Sequence, residues 1–244
     1  MKILLISPLG FATNESLKYA GIERLVWEYA RELNREHQVT VMGHLQSVFP
    51  RGVEVLPTLP RPNEDIYVAA ELRQYQAYCA YFRDFDVIHD FSHQHFASRF
   101  NPNLPSLNLF WHAPSVAKFP KSPYNIIGLS KWACREFERV YKQKARYQQS
   151  IVIDTDIYKP SGKRGDKFLT IGIMKPEKGN LRAIEFCQKA KVPLNVVGAN
   201  ADKEYKDRVI DAILVGSNVV FQGEVSEDQK VFLMQTCKAL IYAN

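Results

Sequence analysis

Histidines, strand-end glycines and one lysine in this 244-residue chain have the types and spacing to act on a charged or hydroxylated ligand. His89, His93 and His95 follow closely on the apolar pair Val87-Ile88. Imidazoles just beyond a strand can donate or accept hydrogen bonds near neutral pH. They can also bind a metal, but such ligand sets need matched spacing on a rigid element. No carboxylate joins these three at ligand spacing on one helix face, so they read as cleft or surface groups and no metal is expected. His112 closes another apolar run, after Phe110-Trp111. It is either a ligand contact or an ordinary hydrogen-bonded strand-end histidine.

The glycines sit where apolar runs end. Gly21-Ile22 opens a helical stripe, where a glycine lets backbone N–H groups approach an anion and the helix dipole favours it. The plainer reading is a helix start beside a close-packed loop. Gly172, Gly198 and Gly223 each follow a short β-like run, the last leading through Glu224 and Val225 into another helical segment. Taken singly, these are generic strand-to-helix turns. Lys178 stands just before a helical segment. A cation at the positive end of a helix is mildly unfavourable unless it serves a bound anion, and the alternative is an ordinary helix-start lysine.

Elements must hold these groups in place, and their pattern is regular. Apolar runs at residues 3–6, 39–42, 53–56, 87–88, 107–110, 126–129 and 151–153 read as strands. Between them, helical periodicity marks residues 21–33, 66–82 and 131–141, with Ser130 placed to cap the last. A polar stretch, Lys159-Pro160-Ser161-Gly162-Lys163-Arg164-Gly165, reads as a linker. The alternation then restarts, with strands at 168–171, 194–197, 219–221 and 239–242 and helices at 180–190, 203–214 and from about Ser226. Such alternation signals parallel sheets covered on both faces.

Composition narrows the function classes. Hydrophobic residues at 46% and charged residues at 24% suit a globular chain. A net charge of +6 favours anionic partners without choosing among them. No basic-aromatic patch marks a nucleic-acid binder, and no G-x-G-x-x-G follows the first strand as a dinucleotide site requires. The scattered cysteines Cys79, Cys134, Cys187 and Cys237 form no CxxC pair, which fits a reducing cytoplasmic setting. Ser7-Pro8 interrupts the opening apolar run too early for a signal peptide, and no run approaches the length of a membrane span. Lys131, Arg135, Arg139, Lys142, Lys144 and Arg146 make a basic helix and its extension. This is either a solvated face or a peripheral contact with anionic lipid.

In colinear order these segments resemble the family-4 retaining glycosyltransferases. The resemblance rests on Ala20-Gly21-Ile22-Glu23-Arg24, Asp86-Val87-Ile88-His89-Asp90, Phe110-Trp111-His112-Ala113-Pro114, the stretch from Thr170 through Gly172 and Lys178 to Gly179, and the turns at Val196-Val197-Gly198 and Val220-Phe221-Gln222-Gly223-Glu224-Val225-Ser226. It implies an α/β, GT-B-like fold: two Rossmann-like parallel-sheet domains facing a cleft, the second incomplete. Residues 1–158 would form the acceptor-side domain and 159–244 part of the nucleotide-sugar-binding domain. The implied reaction moves a hexose from a nucleoside-diphosphate sugar to a hydroxyl acceptor, sugar or lipid-linked, with retention and without metal or other cofactor. His112 would touch the transferred sugar. Gly21, Ile22, Gly172 and Lys178 would hold the donor diphosphate, Gly198, Gly223, Glu224 and Val225 the nucleotide, and His89 and His93 would line the acceptor cleft.

The sequence also departs from that pattern. Where the family has an arginine five residues before its lysine, this chain has Ile173, which cannot neutralise phosphate. The family's glutamate pair would fall after Asn244. The resemblance is thus to a C-terminally truncated member; a nucleotide- or sugar-binding protein without catalysis and one half of a split glycosyltransferase are the rival expectations, with a homodimer or a complementing subunit as protein partners.

Overall fold

The computed structural model describes residues 1–17, 20–110, 124–145, 147–148, 151, 153–162, 164–199, 202–216 and 218–243. The chain divides into two compact units, Met1–Val152 and Ile153–Asn244. In the first, the strands are β1 (Lys2–Ile6), β2 (Gln38–His44), β3 (Glu54–Thr58), β4 (Val87–Asp90), β5 (Ser106–Phe110), β6 (Ile126–Gly128) and β7 (Tyr147–Gln148). The helices are α1 (Gly21–Leu33), α2 (Ala69–Tyr78), α3 (Phe96–Phe100) and α4 (Lys131–Tyr141). The sheet runs β3-β2-β1-β4-β5-β6-β7, parallel throughout.

Alternation along the central strands divides the core between two faces. Ile3 and Leu5 of β1 and Val39 and Val41 of β2 pack with Val26 and Ala30 of α1. Leu4, Ile6, Met42 and Ile88 face the other way, against Phe82 and Ala97. Side chains such as Leu4 and Leu5, fully removed from water, stabilise the unit by roughly 2 kcal/mol each. Strand order reverses between β1 and β4, so the crevice beyond their carboxyl ends is where open α/β sheets bind ligands.

Local chemistry moves some boundaries away from the periodicity. The helix expected over 66–82 begins only at Ala69, because the Asp65 carboxylate accepts from the amides of Tyr67 and Val68 (2.9 and 3.1 Å) and holds the chain in a turn. It then tightens into a 3-10 segment, Cys79–Asp84. The strand expected over 151–153 is replaced by β7, earlier in the chain. Ile151 and Ile153 are both exposed, and Asp154 turns the backbone by accepting from Ile157, Tyr158 and, through its side chain, Asp156. Ser130 caps α4 as its position suggests, its hydroxyl accepting from the Ala133 amide at 3.1 Å. Ser130→Ala is expected to lower stability by about 1 kcal/mol in urea unfolding.

The second unit has strands β8 (Phe168–Ile171), β9 (Leu194–Val197) and β10 (Val219–Gly223), with helices α5 (Asn180–Ala190), α6 (Lys203–Leu214) and α7 (Glu227–Thr236). Its sheet order is β10-β9-β8, again parallel. Ala183, Ile184 and Cys187 of α5 pack with Leu194, Val196, Tyr205, Val209 and Val219 to form its core. Beside β8, the strand expected over 239–242 reduces to one parallel bridge, Leu169 to Leu240. No residue of α7 is buried. That helix holds its first turn with a reciprocal cap between Ser226 and Gln229.

Residues 153–158, expected in the first domain, fall in the second unit. The polar stretch they lead into is tied to α7. The Tyr158 hydroxyl bonds Glu227, Ser161 donates to the Gln235 carbonyl (2.9 Å), Gln235 donates back to the Lys159 carbonyl (2.8 Å), and the Gly165 amide reaches the Thr236 carbonyl (2.7 Å).

Candidate functional site

In the second unit the expected ligand-binding glycines come together at the carboxyl edge of the sheet. The Gly172 amide donates to the Val197 carbonyl at 3.0 Å, and the Gly198 amide donates to the Gly223 carbonyl at 2.9 Å. Gly198 passes so close to its neighbour that a Cβ there would lie 1.8 Å from the Gly172 carbonyl oxygen. Gly223, at φ +69°, has open space where a Cβ would project. Glu224 and Val225 carry the chain onward to the Ser226 cap of α7. The result is a strip of closely apposed main chain, open at Gly223, where a flat or phosphorylated ligand can meet peptide groups.

Lys178 borders this strip. It ends the 3-10 turn Pro176–Lys178, and its stem crosses Gly172, whose Cβ would sit 3.4 Å from Lys178 Cβ and 3.6 Å from its Cγ. Asn180, first residue of α5, is fully buried and donates to the Gly172 carbonyl at 3.4 Å. Its Oδ1 has no partner among the described residues. Sequence reading passed over Asn180, although a polar residue opening a helix just after the Lys178-Gly179 pair was a visible signal. Ile173 and Met174, in the same loop, are buried as apolar side chains.

In the first unit, polar groups gather at the crevice beyond β1 and β4. Glu71 of α2 is the organising group. Its Oε1 accepts from the His93 amide and lies 3.0 Å from His93 Nδ1, while its Oε2 accepts from the Gln94 amide at 2.9 Å. Asp90, at the end of β4, accepts from the Ser92 amide (2.9 Å) and hydroxyl (2.6 Å) and lies 3.5 Å from His95 Nδ1. That last separation is electrostatic contact rather than a hydrogen bond. Glu23 of α1 is buried, with the backbone of Phe11, in the loop after β1, near enough to favour its ionised form. Burial raises its carboxyl above the ordinary range. A small cavity touches this cluster at Glu71, Gln74, Asp90 and Ser92. Among the described residues, Gln74 Nε2 and Asp90 Oδ2 have no partner there.

The histidines divide. Burial pulls His93 down, but the Glu71 hydrogen bond and the charges of Glu71, Glu23 and Asp90 outweigh it, and its pKa ends above the ordinary value. His93 is partly exposed beside Glu71. His89, expected to line the cleft, is instead buried, its ring 4.1 Å from that of Phe91 and edge-on to Tyr29. Burial lowers its pKa to about 4, so the ring is neutral. Strand alternation accounts for the difference, because His89 points toward α1 while Asp90 points to the opposite face. Gly21 opens α1 with nothing near its missing side chain, whereas the Ile22 side chain packs on the core. His112, with Trp111, Ala113 and Pro114, lies outside the described residues. Among the described residues no group of three His, Cys, Asp or Glu side chains is arranged to hold a metal, and no helix is long and apolar enough to cross a membrane.

No protein-family model matches the sequence, and no curated protein matches it either. Solved structures do match. AviGT4, a glycosyltransferase involved in avilamycin A biosynthesis, aligns at TM-score 0.67 and 20% identity, over 98% of this chain and 68% of its own. Alr3699/HepE of Anabaena, in complex with UDP and glucose, aligns at 0.66 and 15%, over 99% and 74%. A UDP-N-acetylglucosamine 2-epimerase from Rickettsia bellii aligns at 0.58 and 12%, over 98% and 73%. Identities this low speak to architecture alone. What the two parallel-sheet units and these likenesses establish together is that the chain has the GT-B fold.

Proposed function

We propose that the chain is a glycosyltransferase, moving a hexose from a nucleoside-diphosphate sugar to a hydroxyl acceptor with retention of configuration and without a metal. The observation that carries this reading is the convergence of the Gly172, Gly198 and Gly223 turns, open at Gly223, with Lys178 beside them. Cleaving the bond between sugar and diphosphate leaves added negative charge on a phosphate oxygen. The Lys178 ammonium and the positive end of α5 would stabilise that charge as it develops. The HepE structure holds UDP and glucose, which is the ligand chemistry proposed here.

Calorimetry with UDP-, GDP- and ADP-sugars tests the reading. Binding of at least one is expected, and Lys178→Ala should weaken it roughly tenfold or more, the loss of one charge-assisted hydrogen bond. Failure of all three to bind overturns it.

A second reading is favoured by one feature. Ile173 stands buried where a phosphate-binding arginine is expected, so the chain would bind a nucleotide or sugar without turning it over, or would act with a complementing subunit. Binding without turnover, restored neither by a partner nor by Ile173→Arg, selects the non-catalytic form.

A further inference from the structure

The buried side of α2 is polar where a helix packed on a sheet is ordinarily apolar. Its buried residues are Ala70, Glu71 and Gln74, the last two about one turn apart. Glu71 engages the turn after β4 with both oxygens. Gln74 Nε2, closed to solvent, has no acceptor among the described residues. Asp90, at the end of β4, has the complementary need. Its Oδ1 accepts from the Ser92 amide and hydroxyl, whereas Oδ2, also closed to solvent, has no donor among the described residues. Gln74 and Asp90 line one cavity, which leaves about 10 Å³ for the centre of a water molecule, close to the least that holds one. The side chains of Ile6, Met42 and Phe82, also in its wall, offer no hydrogen bond.

We propose that this cavity is the binding site of a single structural water, which accepts from Gln74 Nε2 and donates to Asp90 Oδ2. A buried donor and a buried acceptor are each costly when left unpaired, and one water satisfies both. Its second hydrogen has the Glu71 carboxylate in the same wall, which gives the three or so hydrogen bonds typical of buried water. A cation suits the site less well, because the unpaired atom of Gln74 is an N–H donor. A larger ligand group does not fit, since both unpaired atoms are closed to solvent, whereas water reaches such places through brief local opening. The water joins α2 to the strand end that carries Asp90, so it helps to hold the floor of the crevice in place. This site makes no use of the glycosyl-transfer reading.

The experiment is a crystal structure of the full-length chain, at a resolution that shows ordered water, with a second crystal soaked in rubidium chloride. A density peak about 2.7–3.2 Å from both Gln74 Nε2 and Asp90 Oδ2 is expected, without anomalous signal from rubidium. The peak should be lost from Gln74→Met, which keeps the side chain's length but not its donor. The proposal is overturned by wild-type density with no such peak, by a direct bond between Gln74 and Asp90, or by a rubidium signal at the site. Each of these is read without any variant, so the wild-type density decides where Gln74→Met does not fold. A peak that stays unmoved in a folded Gln74→Met also overturns it, because Gln74 would then not be holding the water.

Discussion

Replacing Gly198 with alanine is expected to destabilise the second unit by about 3 kcal/mol and to abolish the proposed nucleotide-sugar binding. The added Cβ would meet the Gly172 carbonyl oxygen at 1.8 Å, its carbon at 2.7 Å and the Met174 methyl at 2.8 Å. Two of these atoms belong to the main chain, which cannot swing aside as a long side chain can. Relief requires β8 and β9 to part at their carboxyl ends, where Gly172 also bonds Val197. Overpacking of a well-filled site commonly costs 1–3 kcal/mol, and here the collision is with backbone, so the upper end applies. Urea unfolding measures the first effect and calorimetry with nucleotide sugars the second. Gly21→Ala is the control. Nothing lies within 4 Å of its Cβ position, so its unfolding midpoint should stay close to that of the wild type. Equal destabilisation by the two substitutions would refute the argument from close approach.

Acidification is expected to weaken the first unit through His89. In the folded chain this ring titrates near 4 because it is buried, against an ordinary value of 6.5. Its Nε2 has no partner among the described residues, so a proton added there would meet no acceptor. Between these two pH values the unfolded chain holds a proton that the folded chain does not. Stability from the neutral ring is therefore fully present above 6.5, declines as pH falls, and levels off below about 4. A shift of this size corresponds to roughly 3 kcal/mol. His93 acts in the opposite sense, since its raised pKa adds stability below 6.5 that is lost as pH rises through the folded value. Comparison with His89→Phe isolates the first effect, because both proteins retain His93. Urea unfolding of the pair between pH 7 and 4 should show the wild type losing stability relative to the variant. Parallel curves would show that His89 is not the group responsible.

Much of the fold could be read from the chain because its cause is local. The apolar runs that became β1 and β2 are buried on both faces, and a strand covered on both sides needs little beyond apolar residues. Ser130 and Ser226 mark helix starts by capping chemistry that extends only three residues along the chain. The strip at Gly172, Gly198 and Gly223 was legible as separate turns. That these lie side by side follows from sheet order, which no single turn reveals.

Where the reading failed, its causes were of a different kind. His89 was expected in the cleft because Asp86-Val87-Ile88-His89 resembles the family's strand-end segment, yet period-two alternation along β4 turns its ring toward Tyr29 and Phe91. Glu71 went unnoticed because its partners stand 22 and 23 residues away. Nothing in the sequence around Glu71 distinguishes it from an exposed helix glutamate. The helix expected from Ile66 started late because Asp65 offered its backbone neighbours a competing bond. The strand expected at residues 239–242 satisfied the apolar pattern but found only a single bridge to β8.

The buried carboxylates of Glu23 and Glu71 carry a thermodynamic consequence for the crevice. Each comes from a different helix, and Glu71 takes the amides of His93 and Gln94 from the turn leaving β4. That turn is ordered as the unit folds, not as a ligand arrives. Immobilising a mobile loop ordinarily subtracts from affinity, and here that entropy is already lost before the encounter. Association in this crevice should then resemble a key meeting a cut lock, with the backbone at residues 93 and 94 unchanged between the empty and filled states.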